Sequence, residues 1–142
     1  MASRHESRER ALQMLFLWDQ TRQPPETVVA GFWGDLLSGD APGEELPVRA
    51  VADEFANRLL RGAVDRVAEA DSLITAHAEH WRLERMSAVD RNILRLAVYE
   101  LLEGQTPAPV VIDEALEIAH RFSGEESVQF INGVLDAVRK AL

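Results

Sequence analysis

The stretch from Ser87 to Leu101, SAVDRNILRLAVYEL, decides the fold class. Asp90 follows Ser87 by three residues, the spacing at which an N-cap hydroxyl and an acidic side chain satisfy the first free N–H groups of a helix. Ile93, Leu94, Ala97 and Leu101 then recur at the period of one helical face. A strand would alternate every second residue, and no convincing alternation occurs anywhere in the chain. Gly104 to Pro109 supply helix-breaking residues that end the segment.

The same period extends outward in both directions. After the break, Ile112, Ala115, Leu116, Ala119 and Phe122 form the apolar face of the next helix, and Gly124 stands where a left-handed C-terminal cap belongs. Ile131, Val134, Leu135 and Val138 mark a final helix, in which Gly133 offers room for a close approach by backbone or ligand. Upstream, Val64, Val67, Ile74, Ala78 and Trp81 suggest another helix whose phase slips near Glu69 to Ser72. Pro47 precedes Val48, Val51, Ala52, Phe55, Leu59 and Leu60, the face of a helix that follows the Gly- and Pro-rich loop Ser38 to Pro47. Val28, Val29, Phe32, Trp33, Leu36 and Leu37 form a dense stripe opened by Pro24 and Pro25. Ser3 with Glu6 caps a first helix from about Arg4 to Gln20, carrying Ala11, Leu12, Leu15 and Phe16. The expectation is an all-α protein of about seven helices, with short loops making neighbours antiparallel.

Composition narrows the possibilities. The 142 residues are 46% hydrophobic and 27% charged, which fits a globular domain and excludes a disordered chain. With no cysteine, a disulfide framework and a thiolate metal site are both excluded, and a reducing compartment is the simplest expectation. The longest uninterrupted hydrophobic run is Met14 to Trp18, far below a membrane span, so the chain is expected to be soluble and cytoplasmic. The formal net charge of -9 argues against a nucleic-acid footprint spread over the whole surface. Its distribution is uneven: Arg4, Arg8, Arg10 and Arg22 outnumber the acids before residue 23, whereas residues 23–57 hold seven acids against Arg49.

Catalytic patterns are lacking. No cysteine nucleophile, phosphate-cradling glycine loop or Gly-x-Ser-x-Gly turn occurs, so no enzyme activity is expected. His77 and His80, three apart beside Glu79 and Glu84, lack a third metal ligand. Glu117 and His120 match the Glu-x-x-His spacing of di-iron bundles, which need that motif twice. Neither pair implies a metal or cofactor. The first helix is more informative, because its apolar stripe extended backward lands on Arg4 and Arg8, with His5 beside them. A helix overhanging its bundle would offer these guanidinium groups to phosphate. Trp18, Trp33, Trp81, Phe16 and Phe130 are candidate stacking surfaces for bases, with Trp33 and Phe55 assigned to packing. Arg91, Arg95, Glu100 and Glu114 are expected to form structural ion pairs between the fifth and sixth helices.

Taken together, these blocks resemble the NusB family of bacterial transcription antitermination factors. The resemblance runs nearly end to end. It is carried by Trp81, by Asp90-Arg91-Asn92-Ile93-Leu94-Arg95-Leu96-Ala97 with Tyr99-Glu100-Leu101, and by Val111-Ile112-Asp113-Glu114-Ala115. Ala119, Phe122 and Phe130-Ile131-Asn132-Gly133-Val134-Leu135-Asp136 add to it, as does Arg8 with Ala11-Leu12-Gln13 and Leu15-Phe16. The resemblance implies two small helical subdomains divided near Gly62, one over about residues 1–62 and the other over about 63–142. It implies binding to the boxA element of nascent ribosomal RNA together with NusE, a small-subunit ribosomal protein, in an assembly that joins RNA polymerase and suppresses premature termination.

The resemblance further implies RNA contacts at Arg4, His5 and Arg8, at Phe16, and at Phe130 with Asn132. Two departures from the family pattern bear on those contacts. Glu6 and Glu9 interrupt the arginine cluster, and Asp113 replaces an asparagine with a group that only accepts hydrogen bonds when ionised. A second implied class is an RNA-binding module related to the N-terminal domain of a ribosomal RNA cytosine methyltransferase. A homodimer formed through the first helix is a further possibility.

Overall fold

The computed structural model describes residues 3–37, 53–79 and 81–142. Among them are seven α-helices: α1 (Arg4–Thr21), α2 (Pro25–Leu37), α3 (Glu54–Asp65), α4 (Val67–His77), α5 (Ala88–Glu103), α6 (Ala108–Phe122) and α7 (Glu125–Ala141). A 3-10 turn, Leu83–Arg85, links α4 to α5. No strand occurs among the described residues. The expected loop Ser38 to Pro47, the apolar positions Val48, Val51 and Ala52, and His80 lie outside the described residues, as do the side chains of Leu36 and Leu37.

Helix ends follow local chemistry. The Ser3 hydroxyl accepts from the Glu6 N–H at 3.1 Å, and the Ser87 hydroxyl accepts from the Asp90 N–H at 3.1 Å. Gly104 ends α5 at φ 72°, a conformation that favours glycine, and its N–H bonds to the Glu100 carbonyl. Two boundaries differ from the sequence expectation. The break falls at Arg66, not at Glu69 to Ser72, because α3 closes on carbonyls of Gly62 and Val64 and a new helix starts at Val67. Gly124 is extended and precedes α7, so it makes no left-handed cap.

α5 is the centre of the molecule and packs on α1, α3, α4, α6 and α7. Every residue from Asn92 to Glu100 is buried, so this helix has no solvated face over its middle. Its apolar residues meet Leu12, Leu15, Leu59, Leu60, Ile74 and Leu135 in one continuous core. Gly62 supplies the close approach that had been expected at Gly133: a Cβ on Gly62 would collide with the Tyr99 ring, whereas one on Gly133 would meet open space.

The polar residues inside α5 bind α1 at both ends. Near the start of α1, Arg8 donates to Glu100 through Nε and Nη2, each bond 2.9 Å long. Near its end, Asp19 accepts from Arg91 at 2.6 Å, from Arg95 at 3.0 Å and from Asn92 at 3.2 Å. Arg95 also grips Asp71 of α4 through two bonds of 2.8 and 3.0 Å. Burial alone would raise the Asp19 carboxyl, but hydrogen bonds from Arg91, Arg95 and Asn92 outweigh it and hold the group at about 2.

Replacing Asp19 by asparagine leaves the buried Arg95 short of a carboxylate and should cost about 3 kcal/mol at neutral pH. Because the folded-state value lies below the ordinary 3.8, that contribution is present above 3.8 and disappears as pH falls through about 2. Urea unfolding of the wild type and Asp19→Asn across this range should show the gap closing with acidification.

Candidate nucleic-acid interface

The first turn of α1 is fixed from several directions. Ser7 and Arg10 both bond Asp53, the N-cap of α3, at 3.0 and 2.9 Å. Arg4 is exposed and lays its guanidinium over the Phe55 ring, 3.9 Å from the centroid. Arg8 and Arg58 approach the same ring at 5.3 and 5.4 Å, so three cations surround one aromatic side chain. Phe55 is half-buried and serves as their platform, in addition to its expected packing role.

Arg8 itself is buried, which corrects the expectation of an overhanging helix that offers it to phosphate. The stripe does run back to Arg8, but Glu100 meets it there. Both bonds to that carboxylate would have to break before the guanidinium could turn outward. His5 is also engaged. Its Nδ1 lies 2.5 Å from Glu114 and 3.6 Å from Glu117, and its Nε2 lies 2.9 Å from Glu9. The Glu114 hydrogen bond, helped by the charges of Glu114, Glu9 and Glu117 against some desolvation, raises the His5 pKa above 6.5. Arg121 pairs with Glu9 from the other side at 2.8 Å.

The four residues expected to pair between neighbouring helices all form ion pairs, but with other partners. Arg91 and Arg95 reach Asp19, Arg95 also reaches Asp71, Glu100 holds Arg8, and Glu114 holds His5. The partners lie on α1 and α4, because α5 is central and its polar side chains face both.

Aromatic side chains occupy the neighbouring surface. Phe16, Leu17 and Phe122 are 38%, 40% and 42% exposed and line a groove of about 400 Å³ with Leu12 and Val89. Phe122 had been assigned to the buried face of its helix. It sits in the last turn of α6, where the stripe runs past the body of the core. Phe130 is half-buried and meets Trp81 edge to face, with centroids 6.0 Å apart at 61°. Trp81 lies beyond the end of α4 and is 54% exposed, so it does not continue that helix's apolar face. Trp18 and Trp33 are buried. Asn132 and Asp113 are exposed on α7 and α6.

Among the described residues, His5, Glu114 and Glu117 bring potential metal-ligand atoms within 4.8 Å of one another. The same contacts serve as ion pairs whenever the imidazole is protonated, and its pKa is raised by them. Glu117 turns to His5 while His120 pairs with Glu125, so the Glu-x-x-His spacing does not converge on one point. His77 is bonded to the Leu73 carbonyl.

The helices, the Arg4 guanidinium resting on Phe55 and, further along α1, a groove of exposed phenylalanines define an all-helical protein with surfaces suited to binding. The NusB family model matches residues 5–140. A transcription antitermination protein NusB of Solibacter usitatus is 57% identical over 142 residues, covering all of this chain and 92% of that protein. Another, of Symbiobacterium thermophilum, is 42% identical over 99% of this chain and 91% of its own length. Among solved structures, Thermotoga maritima NusB superposes with a TM-score of 0.78 at 36% identity, over 98% of this chain and 92% of that one. A chain in the crystal structure of the antitermination factors NusB and NusE in complex with dsRNA does so with a TM-score of 0.79 at 27% identity, over 98% and 97%. The chain belongs to the NusB family.

Two outcomes follow from the geometry. Arg8→Met should destabilise the fold by about 3 kcal/mol by leaving Glu100 buried without its cation, and adding Glu100→Leu should recover most of the loss in denaturant titrations. His5, raised above 6.5, stabilises the α1–α6 contact fully below that value and loses the contribution as pH rises through its folded pKa. Melting curves of the wild type and His5→Ala should therefore differ most in mild acid and converge in alkali.

Proposed function

We propose that this protein is a transcription antitermination factor that binds boxA of nascent ribosomal RNA with NusE, within the RNA polymerase antitermination complex. The observation that carries this reading is the end-to-end likeness to NusB proteins, including the chain solved with NusE and dsRNA. The surface chemistry supports it. Arg4 is an exposed cation held on a ring, suited to phosphate, and Phe16 is an exposed aromatic on the same helix, suited to a base. Phe130 and Asn132 extend the contact along α7. His5, whose pKa these carboxylates raise, offsets Glu9, Glu114 and Glu117 when it is protonated, and so reduces their repulsion of the RNA backbone.

On this reading the protein carries out no chemical turnover and acts in the cytoplasm, where transcripts emerge. No described helix is long and apolar enough to cross a membrane. The subdomain division near Gly62 belongs to the same proposal and is supported by the turn at Arg66.

Anisotropy of labelled boxA RNA and of a scrambled control, with and without NusE, tests the reading. BoxA-selective binding that tightens with NusE is expected. No binding of either RNA under both conditions by folded protein would overturn it. Arg4→Ala should weaken both RNAs alike and lower the salt slope by about one phosphate contact.

A further inference from the structure

Among the described residues, His5 is the histidine whose two ring nitrogens both face carboxylates: Nδ1 points at Glu114 and Glu117 of α6, and Nε2 at Glu9, one turn further along α1. An ordinary surface pair looks different. His120 meets the single carboxylate of Glu125, and both are exposed. Charge around His5 does not balance either. Glu9, Glu114 and Glu117 are opposed by Arg121 and, at most, by the imidazolium, so negative charge remains in excess even when the ring is protonated. Arg8 is near enough to feel Glu114, but it is already paired with Glu100.

The convergence has the chemistry of a metal centre. His5 Nδ1 and one carboxylate oxygen each from Glu114 and Glu117 lie within 4.8 Å of one another. Ligand atoms about 2.1 Å from a tetrahedral zinc ion sit roughly 3.4 Å apart, so small side-chain rotations close this set on one ion. Glu117 is free to make them, since its side chain is 71% exposed. Glu114 and Glu117 stand three apart on α6 and so share one face of that helix. The outer groups fit as well. With Glu9 accepting from Nε2–H, Nδ1 of the neutral ring presents its lone pair to α6, and Arg121 holds Glu9 at 2.8 Å. One nitrogen and two carboxylate oxygens suit a borderline ion such as zinc. Magnesium, which prefers oxygen ligands and sheds water reluctantly, suits them poorly.

We propose that His5, Glu114 and Glu117 form a binding site for a divalent cation of the zinc class, which clips the first turn of α1 to α6. Glu9 and Arg121 are its positioning residues. The ion takes the place that a proton otherwise holds on Nδ1, and it cancels the excess negative charge of the cluster. Water fills the coordination left open. The site needs no RNA, so it stands or falls separately from the RNA-binding reading.

The test is isothermal titration calorimetry of the full chain with Zn²⁺ and with Mg²⁺ at mildly alkaline pH. Zinc should bind saturably at one equivalent, and magnesium should show no saturable binding. His5→Ala and Glu117→Gln should each weaken zinc binding by about tenfold or more, and Glu9→Ala, which frees the far side of the ring, by about tenfold. Glu69→Gln, at an exposed acid on α4, should change it by less than about twofold. Thermal melting gives a second readout. In chelator-treated buffer, added zinc should raise the Tm of the wild type and leave that of His5→Ala unchanged. Glu117 is exposed and His5 part-exposed, so both variants should keep the fold, which circular dichroism checks.

No saturable zinc binding, or binding that His5→Ala and Glu117→Gln leave intact, would overturn the site. Binding lost in His120→Ala and kept in His5→Ala would place the ion elsewhere and overturn it equally. Magnesium bound as tightly as zinc would rule out the imidazole as a ligand. Zinc bound through His5 with no rise in Tm would refute the clip between α1 and α6.

Discussion

The arrangement of this protein depends on two buried ion pairs of opposite sense between α1 and α5. At one end Arg8 of α1 meets Glu100 of α5, and at the other Asp19 of α1 meets Arg91 and Arg95 of α5. Reversing either helix would bring Arg8 towards Arg91 and Arg95, and Asp19 towards Glu100. The pairs therefore admit the antiparallel orientation and oppose the parallel one. Buried ion pairs contribute little net stability over apolar residues of similar size, but they penalise misalignment heavily. Leu12 and Leu15 between them supply the burial. With α1 fixed in this register, Arg4 is set over Phe55 of α3 and Phe16 beside Phe122 of α6.

That dependence explains what the sequence conveyed and what it did not. Helix starts and ends were legible because caps are local, as at Ser3, Ser87 and Gly104. The break at Arg66 was misplaced because no proline or glycine marks that residue. The phase slip noticed at Glu69 was the downstream effect of a helix that had already restarted at Val67. The partners of Arg8 and Arg91 were illegible because they stand 92 and 72 residues away, and helical periodicity carries no information at that distance. Periodicity also placed Trp81 on α4, since its spacing from Ile74 and Ala78 fits a helical face. The helix ends at His77, before that spacing applies.

The candidate site was legible in part for the same reason. Arg4 is exposed where the stripe extended backward places it, whereas Phe16, which the spacing puts within the apolar stripe, is 38% exposed at its edge. Arg8 shares that stripe and is buried, because the stripe reports a direction and not the length over which a neighbour covers it. His5 was read as a companion of the arginines, yet α6 brings Glu114 and Glu117 against it. The exposure of Phe122 could not be read from a pattern that only says it faces the same way as Ala119.

Charge bears on how such a surface could bind an anion at all. A chain of net charge -9 cannot rely on a broad positive field, and several of its arginines are occupied by its own carboxylates, at Asp19, Asp53, Asp71, Glu26 and Glu100. Binding must then come from a few well-placed cations and from contacts that charge does not weaken. Aromatic stacking meets that requirement, since a base presents a π face whatever the field around its phosphate. The exposed rings at Phe16, Phe122 and Trp81 are consistent with a surface that gains contact area where it lacks positive charge. The net charge of -9 also disfavours indiscriminate attachment to polyanions, so on the proposed reading selectivity comes from contacts to bases more than from the backbone charge.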